Sequence, residues 1–157
     1  MSMESQMNAI LRLLAADQES TRAAARQEIQ SLLALAPRSR TAEHYIRKLL
    51  LELGAPDRLS GHAYTVEALL LIVEDRAYIR SITFGLYPQV AAKFDTTAAR
   101  VERAIRHMIE VMWTRAEREP LDRYFGSTIS PERGKPTNGE FLARLANIVR
   151  EQMDDAA

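Results

Sequence analysis

Hydrophobic and polar positions separate most cleanly in the second half of the chain, where Val101, Ala104, Ile105, Met108 and Met112 recur at steps of three and four. That spacing places them on one face of a helix expected from about Thr97 to Arg115, with Arg100, Glu102, Arg103, Arg106 and His107 on its polar side. A shorter stripe precedes it. Val90, Ala91 and Phe94 share one side of a helix expected from Pro88 to Phe94, and proline is tolerated at a helix start because the N–H it lacks would have no partner there. Asp95-Thr96-Thr97 separates the two, with Thr97 or Thr96 available to cap the second helix. Helices joined by so short a turn pack crosswise. Ala91 is small enough to let them approach, and Val101 fills the space between them, so the pattern is a helix-turn-helix.

The same periodicity predicts helices over most of the remaining chain. Met3, Met7, Ile10 and Leu14, broadened by Leu11 and Leu13, form a short heptad-like stripe. After an interruption at Asp17 to Ser20, a second stripe of Ala25, Ile29, Leu32 and Ala36 is expected to end before Pro37. Residues 1–37 thus read as a small helical hairpin with too little core of its own, suited either to dimerisation or to packing on the rest of the chain. Pro37-Arg38-Ser39-Arg40 reads as a linker. Thr41 is then expected to cap a helix ending at Gly54-Ala55-Pro56, with Ile46, Leu49, Leu50 and Leu53 inward.

A long helix follows from about His62 to Glu74, carrying Val66, Leu69, Leu70 and Val73. Tyr78 to Tyr87 is expected to be helical, with Ser81 near a bend, Gly85 a weak point and Pro88 a restart. A short charged helix over Glu117 to Phe125 and a loop over Gly126 to Gly134 come next. Thr137-Asn138-Gly139-Glu140 is a capping box that opens a final helix with Phe141, Leu145, Ile148 and Val149 facing inward. The fold class is therefore all-α: a helical domain over residues 41–155 containing the helix-turn-helix, preceded by the hairpin.

Composition narrows the function. The chain has no cysteine, which removes disulfides and thiolate chemistry and fits a reducing compartment. No apolar run approaches the roughly 20 residues that span a bilayer, and the expectation is a cytoplasmic protein without membrane contact. His44, His62 and His107 show no metal-ligand spacing, and there is no glycine-rich phosphate loop or nucleophile elbow; no cofactor, metal or enzymatic activity is expected.

Formal net charge is +0, which argues against nucleic-acid binding by bulk electrostatics. The balance is local, however: four arginines stand against two glutamates between residues 96 and 115.

A pair of this kind binds DNA by placing the first turns of its second helix in the major groove. Arginine can bridge guanine O6 and N7, and a carboxylate can accept from cytosine N4, so Arg100, Glu102 and Arg103 are the residues expected to contact bases. Lys93, Thr96, Thr97, Arg106, His107 and Lys135 are expected at the phosphates. A generic solvated helix would also carry arginines on its wet face, and Lys135 could equally be a solvated lysine ahead of a structural cap.

FDTTAARVERAIRHMIEV, with SITFGLYPQVAAKF before it and FGSTIS and GKPTNGEF after it, closely resembles the DNA-binding effector domain of the stage-zero sporulation protein A family of response regulators. The similarity runs from about His44 to Glu151. It implies an all-helical effector domain in which the helix from Thr97 is the recognition helix, with Arg100, Glu102 and Arg103 at base-contacting positions. It also implies that Ser81 and Lys135-Pro136-Thr137-Asn138 lie near the phosphate backbone, and that the region after Arg115 lies near the surface that touches the sigma subunit of RNA polymerase.

The chain departs from the family at Asp95 and Ala99, where the family has Asn and Ser, and at the acidic Ala116 to Pro120. The family's phosphorylatable receiver is not expected within forty helical residues. The reading is a sequence-specific transcriptional regulator binding double-stranded DNA as a dimer or tandem pair. The rival is an adaptor or antagonist that keeps the fold and binds a sporulation regulator or sigma factor.

Overall fold

The computed structural model describes residues 2–14, 19–126, 128, 129, 132 and 134–156. Among these the regular structure is helical and includes no strand. The α-helices are α1 (Met3–Leu14), α2 (Glu19–Glu52), α3 (Ser60–Glu74), α4 (Tyr87–Lys93), α5 (Ala98–Arg115), α6 (Arg118–Phe125) and α7 (Asn138–Asp155). The chain divides into two compact units, Met1–Arg40 and Thr41–Ala157.

In the first unit Ile10 and Ala25 are buried, whereas Met3, Met7 and Leu11 stay exposed. Leu13, Leu14 and Ala36 of the anticipated stripes have side chains outside the described residues. One expectation is corrected here. The backbone does not break at Pro37; α2 is helical from Glu19 to Glu52, through residues 37–40. A proline inside a helix deletes one N–H bond but does not by itself end the helix when good helix formers lie on both sides and the far end is anchored. Leu49, Leu50 and Leu53, all buried, supply that anchor.

In the second unit α2 ends in a left-handed cap. Gly54 has φ +74°. Its N–H donates to Leu51 O at 3.1 Å and that of Ala55 to Leu50 O at 2.9 Å, the paired bonds that satisfy a helix's last carbonyls. The core gathers Ile46, Leu49 and Leu50 of α2 with Leu69 and Ile72 of α3, Val90 of α4, Val101, Ile105 and Met108 of α5, and Phe141, Leu145 and Val149 of α7. Phe125 stacks on Phe141 with centroids 5.7 Å apart, and Trp113 meets both edge-on. Arg150 of α7 donates to Ile72 O at 3.0 Å and Val73 O at 2.7 Å, satisfying carbonyls in the last turn of α3.

The segment before Pro88 also departs from expectation. It is not one α-helix but a 3₁₀ turn over Arg76–Arg80 followed by a π turn over Ile82–Leu86. Leu86 N–H donates to Ser81 O and Tyr87 N–H to Ile82 O, each reaching back five residues. Pro88 would crowd the carbonyl four residues upstream and has no N–H for it, and a slip of one residue in the ladder relieves that conflict.

Candidate nucleic-acid interface

The short helix, the turn and the long helix form as the residue pattern requires. Phe94 ends α4, Asp95 takes φ 51°, and Thr96 N–H donates to Ala91 O at 3.0 Å, closing the helix with a left-handed residue. Thr97 then opens α5, its Oγ1 accepting from Arg100 N–H at 3.3 Å. Ala91 and Val101 are buried where α4 meets α5. Crossing beneath them, α3 comes so close at Gly61 that a Cβ there would stand 2.3 Å from Ala104 O.

On the solvent side of α5, Arg100, Arg103, Arg106 and His107 are all exposed and share one groove of about 640 Å³ with Thr96 and Tyr64. Arg100, Arg103 and His107 have no side-chain hydrogen bond or ion pair among the described residues. Their donors are thus available to a ligand.

Glu102 stands apart from them. Successive helix residues are rotated by about 100°, which carries Glu102 to the flank of the arginine face, where it pairs with Arg106 one turn on. That flank borders a second groove of about 540 Å³, shared with Ile82, Thr83, Tyr87 and the segment from Lys135 to Gly139.

Of the positions expected at phosphate, Thr96, Arg106 and His107 line the arginine groove and the others lie in different settings. Lys93, Arg106 and Lys135 are exposed but paired: Lys93 Nζ lies 2.6 Å from Glu67, Arg106 pairs with Glu102, and Lys135 Nζ lies 3.5 Å from Glu110. Thr97 and Thr137 each spend an oxygen lone pair on a helix cap, Thr137 accepting from Glu140 N–H at 3.2 Å, and each keeps its hydroxyl proton to donate. Ser81 is exposed at the start of the π turn, and its carbonyl accepts from both Gly85 and Leu86.

Asn138 is built in differently. It is half-buried, and its Nδ2 donates to Tyr87 Oη at 3.2 Å and to the backbone oxygen of Glu102 at 2.9 Å. Both amide protons are directed into the fold. Burial holds the Tyr87 phenol above its ordinary pKa range, the bond from Asn138 opposing, so Tyr87 meets Asn138 as a neutral oxygen.

Sequence reasoning missed this tie, the carboxylates of Glu67 and Glu110 as counter-charges, and the closeness of Gly61 to α5. None has a local signature, because in each case the partner lies far along the chain. No group of three or more His, Asp or Glu suited to a metal ion occurs among the described residues, and no helix there is long and apolar enough to cross a membrane.

A family model described as sporulation initiation factor Spo0A, C-terminal, matches residues 46–149, from the end of α2 through most of α7. The chain belongs to this family of DNA-binding effector domains of sporulation regulators.

Proposed function

We propose that this member of the Spo0A C-terminal family regulates transcription by binding a short DNA element with the first turns of α5 in the major groove. Arg100 and Arg103 read base edges there, each able to bridge a guanine through two parallel N–H bonds. Glu102 accepts from cytosine N4 at the edge of the footprint, exchanging Arg106 for the base as it does so. Ser81, Lys93, Thr96, Thr97, Arg106, His107, Lys135 and Thr137 contribute phosphate contacts, which set register and carry no sequence information. The observation that supports this reading best is that Arg100 and Arg103 sit exposed at the start of the helix and have no ion-pair partner among the described residues. Two copies on repeated sites, paired through the exposed Met3, Met7 and Leu11 of α1, extend the same reading.

With +0 formal charge, affinity for random DNA should be modest, and each phosphate engaged should contribute about −0.9 to the salt slope. The test is a binding titration at two salt concentrations, comparing the duplex selected by the protein from a randomised pool with a scrambled duplex. Arg103→Ala should cost roughly 1–3 kcal/mol on the selected duplex and relax preference at one base pair, while Lys135→Ala should weaken both duplexes alike and reduce the slope.

A second reading, an adaptor that meets a sporulation regulator or sigma factor through this face, is favoured by the carboxylates that already neutralise Lys93, Arg106 and Lys135. Failure to enrich any duplex, with retention of such a partner, would decide for it.

A further inference from the structure

We propose that Asn138 is a positioning residue for the recognition helix: its carboxamide sets the rotation of α5 about its own axis, and with it the aim of Arg100 and Arg103. The inference rests on the reading of α5 as the helix that enters the groove. Asn138 is the first residue of α7, where Thr137 caps the helix and fixes the backbone that carries it. From there one side chain reaches two other elements, donating to Tyr87 at the start of α4 and to the Glu102 carbonyl in α5. Tyr87 is only 3% exposed and belongs to the core, so the anchor at that end is fixed. A carbonyl oxygen has two lone pairs, so Glu102 O can accept Asn138 in addition to its own helical N–H.

The bond falls at the right place to act as a rotational stop. It grips the α5 backbone at Glu102, between the two arginines that carry the reading. Side chains stand roughly 5–6 Å from a helix axis, so a rotation of only about 10° displaces them by about 1 Å. That is twice the ~0.5 Å within which a recognition constellation must be held. Phosphate contacts made by long, flexible side chains tolerate such a shift; bidentate base contacts do not. Asn138 should therefore govern discrimination between sequences while leaving the number of phosphates engaged unchanged.

The experiment uses the full chain with Asn138→Ala, Tyr87→Phe and the double variant. Binding is titrated against salt on the duplex selected by wild type from a randomised pool and on a scrambled duplex of equal length. The expected result for Asn138→Ala is a loss of about tenfold on the selected duplex, little change on the scrambled one and an unaltered salt slope. Tyr87→Phe, which keeps the ring, should move the same ratio by less, and the double variant should be no worse than Asn138→Ala alone, because both changes break one tie.

Without DNA, amide hydrogen exchange at Arg103 and Arg106 should quicken in both single variants. Equal losses on both duplexes with the slope reduced by about 0.9 would instead make Asn138 a phosphate ligand and overturn the proposal. Unchanged exchange and unchanged discrimination would overturn it too. A wild-type chain that selects no duplex would sink the functional reading, while the exchange measurement would still decide whether the tie orders α5.

Discussion

Gly61 of α3 lies against the carbonyl oxygen of Ala104 in α5, so close that a methyl group on the glycine would stand 2.3 Å from that oxygen and 3.0 Å from the Cβ of Met108. The obstacle is helix backbone, which cannot rotate aside as a flexible side chain would. Gly61→Ala should therefore destabilise the protein by about 1–3 kcal/mol despite alanine's better helix propensity. Urea denaturation measures it. A variant as stable as wild type would show that the crossing of α3 and α5 has slack.

Asp95 closes the turn between α4 and α5 with φ 51°, a conformation in which a Cβ crowds the backbone. Asn and Gly adopt it more readily, so Asp95→Gly should stabilise by about 0.5–1 kcal/mol and Asp95→Val should destabilise by at least about 1 kcal/mol. Thermal midpoints of the three chains would rank Gly above Asp above Val. An inverted order would mean that the Asp95 side chain supports the turn in some other way.

Glu110 holds Lys135 at 3.5 Å, with both side chains 46% exposed. An exposed pair of this kind contributes about 0.2–1 kcal/mol, a small barrier to exchanging the carboxylate for a phosphate. Glu110→Gln releases the lysine and removes a negative charge beside the arginine face. Fluorescence anisotropy should show about two- to fivefold tighter binding to selected and scrambled duplexes alike. Weaker binding would mean that Lys135 depends on Glu110 for its orientation.

Burial and the nearby Arg47 hold the His62 imidazole below its ordinary value of 6.5, with Asp57 opposing. As pH falls, the unfolded chain takes up the proton before the folded one does. The stabilisation is therefore complete above about 6.5 and declines as pH drops toward the lower folded-state value. Urea midpoints followed from about pH 8 to about pH 5 should fall more steeply for wild type than for His62→Gln. Parallel curves would remove His62 as a source of the pH dependence.

Much of this fold can be read from apolar spacing because its helices are amphipathic on their own. Val101, Ile105, Met108 and Met112 mark the buried face of α5 without reference to any other element, and Thr97 announces the start of α5 by the hydroxyl that caps it. Pro37 misled because a breaker was weighed by its local cost, whereas α2 runs through it to buried residues beyond. The π turn before Pro88 leaves no periodic trace, being a slip of a single residue. Within the site, arginines on a polar face were legible. The tie that grips their helix joins Asn138 to residues 36 and 51 positions away, and spacing along a chain carries no information at that range.

The last helix is pinned twice, at its first residue by Asn138 to α4 and α5 and again at Arg150 to the closing turn of α3. Shortening the carboxy terminus back to Val149 would spare nearly every apolar side chain that α7 contributes and still unhitch α3. A stop codon just ahead of Arg150 would therefore sever a brace that no apolar side chain of α7 replaces.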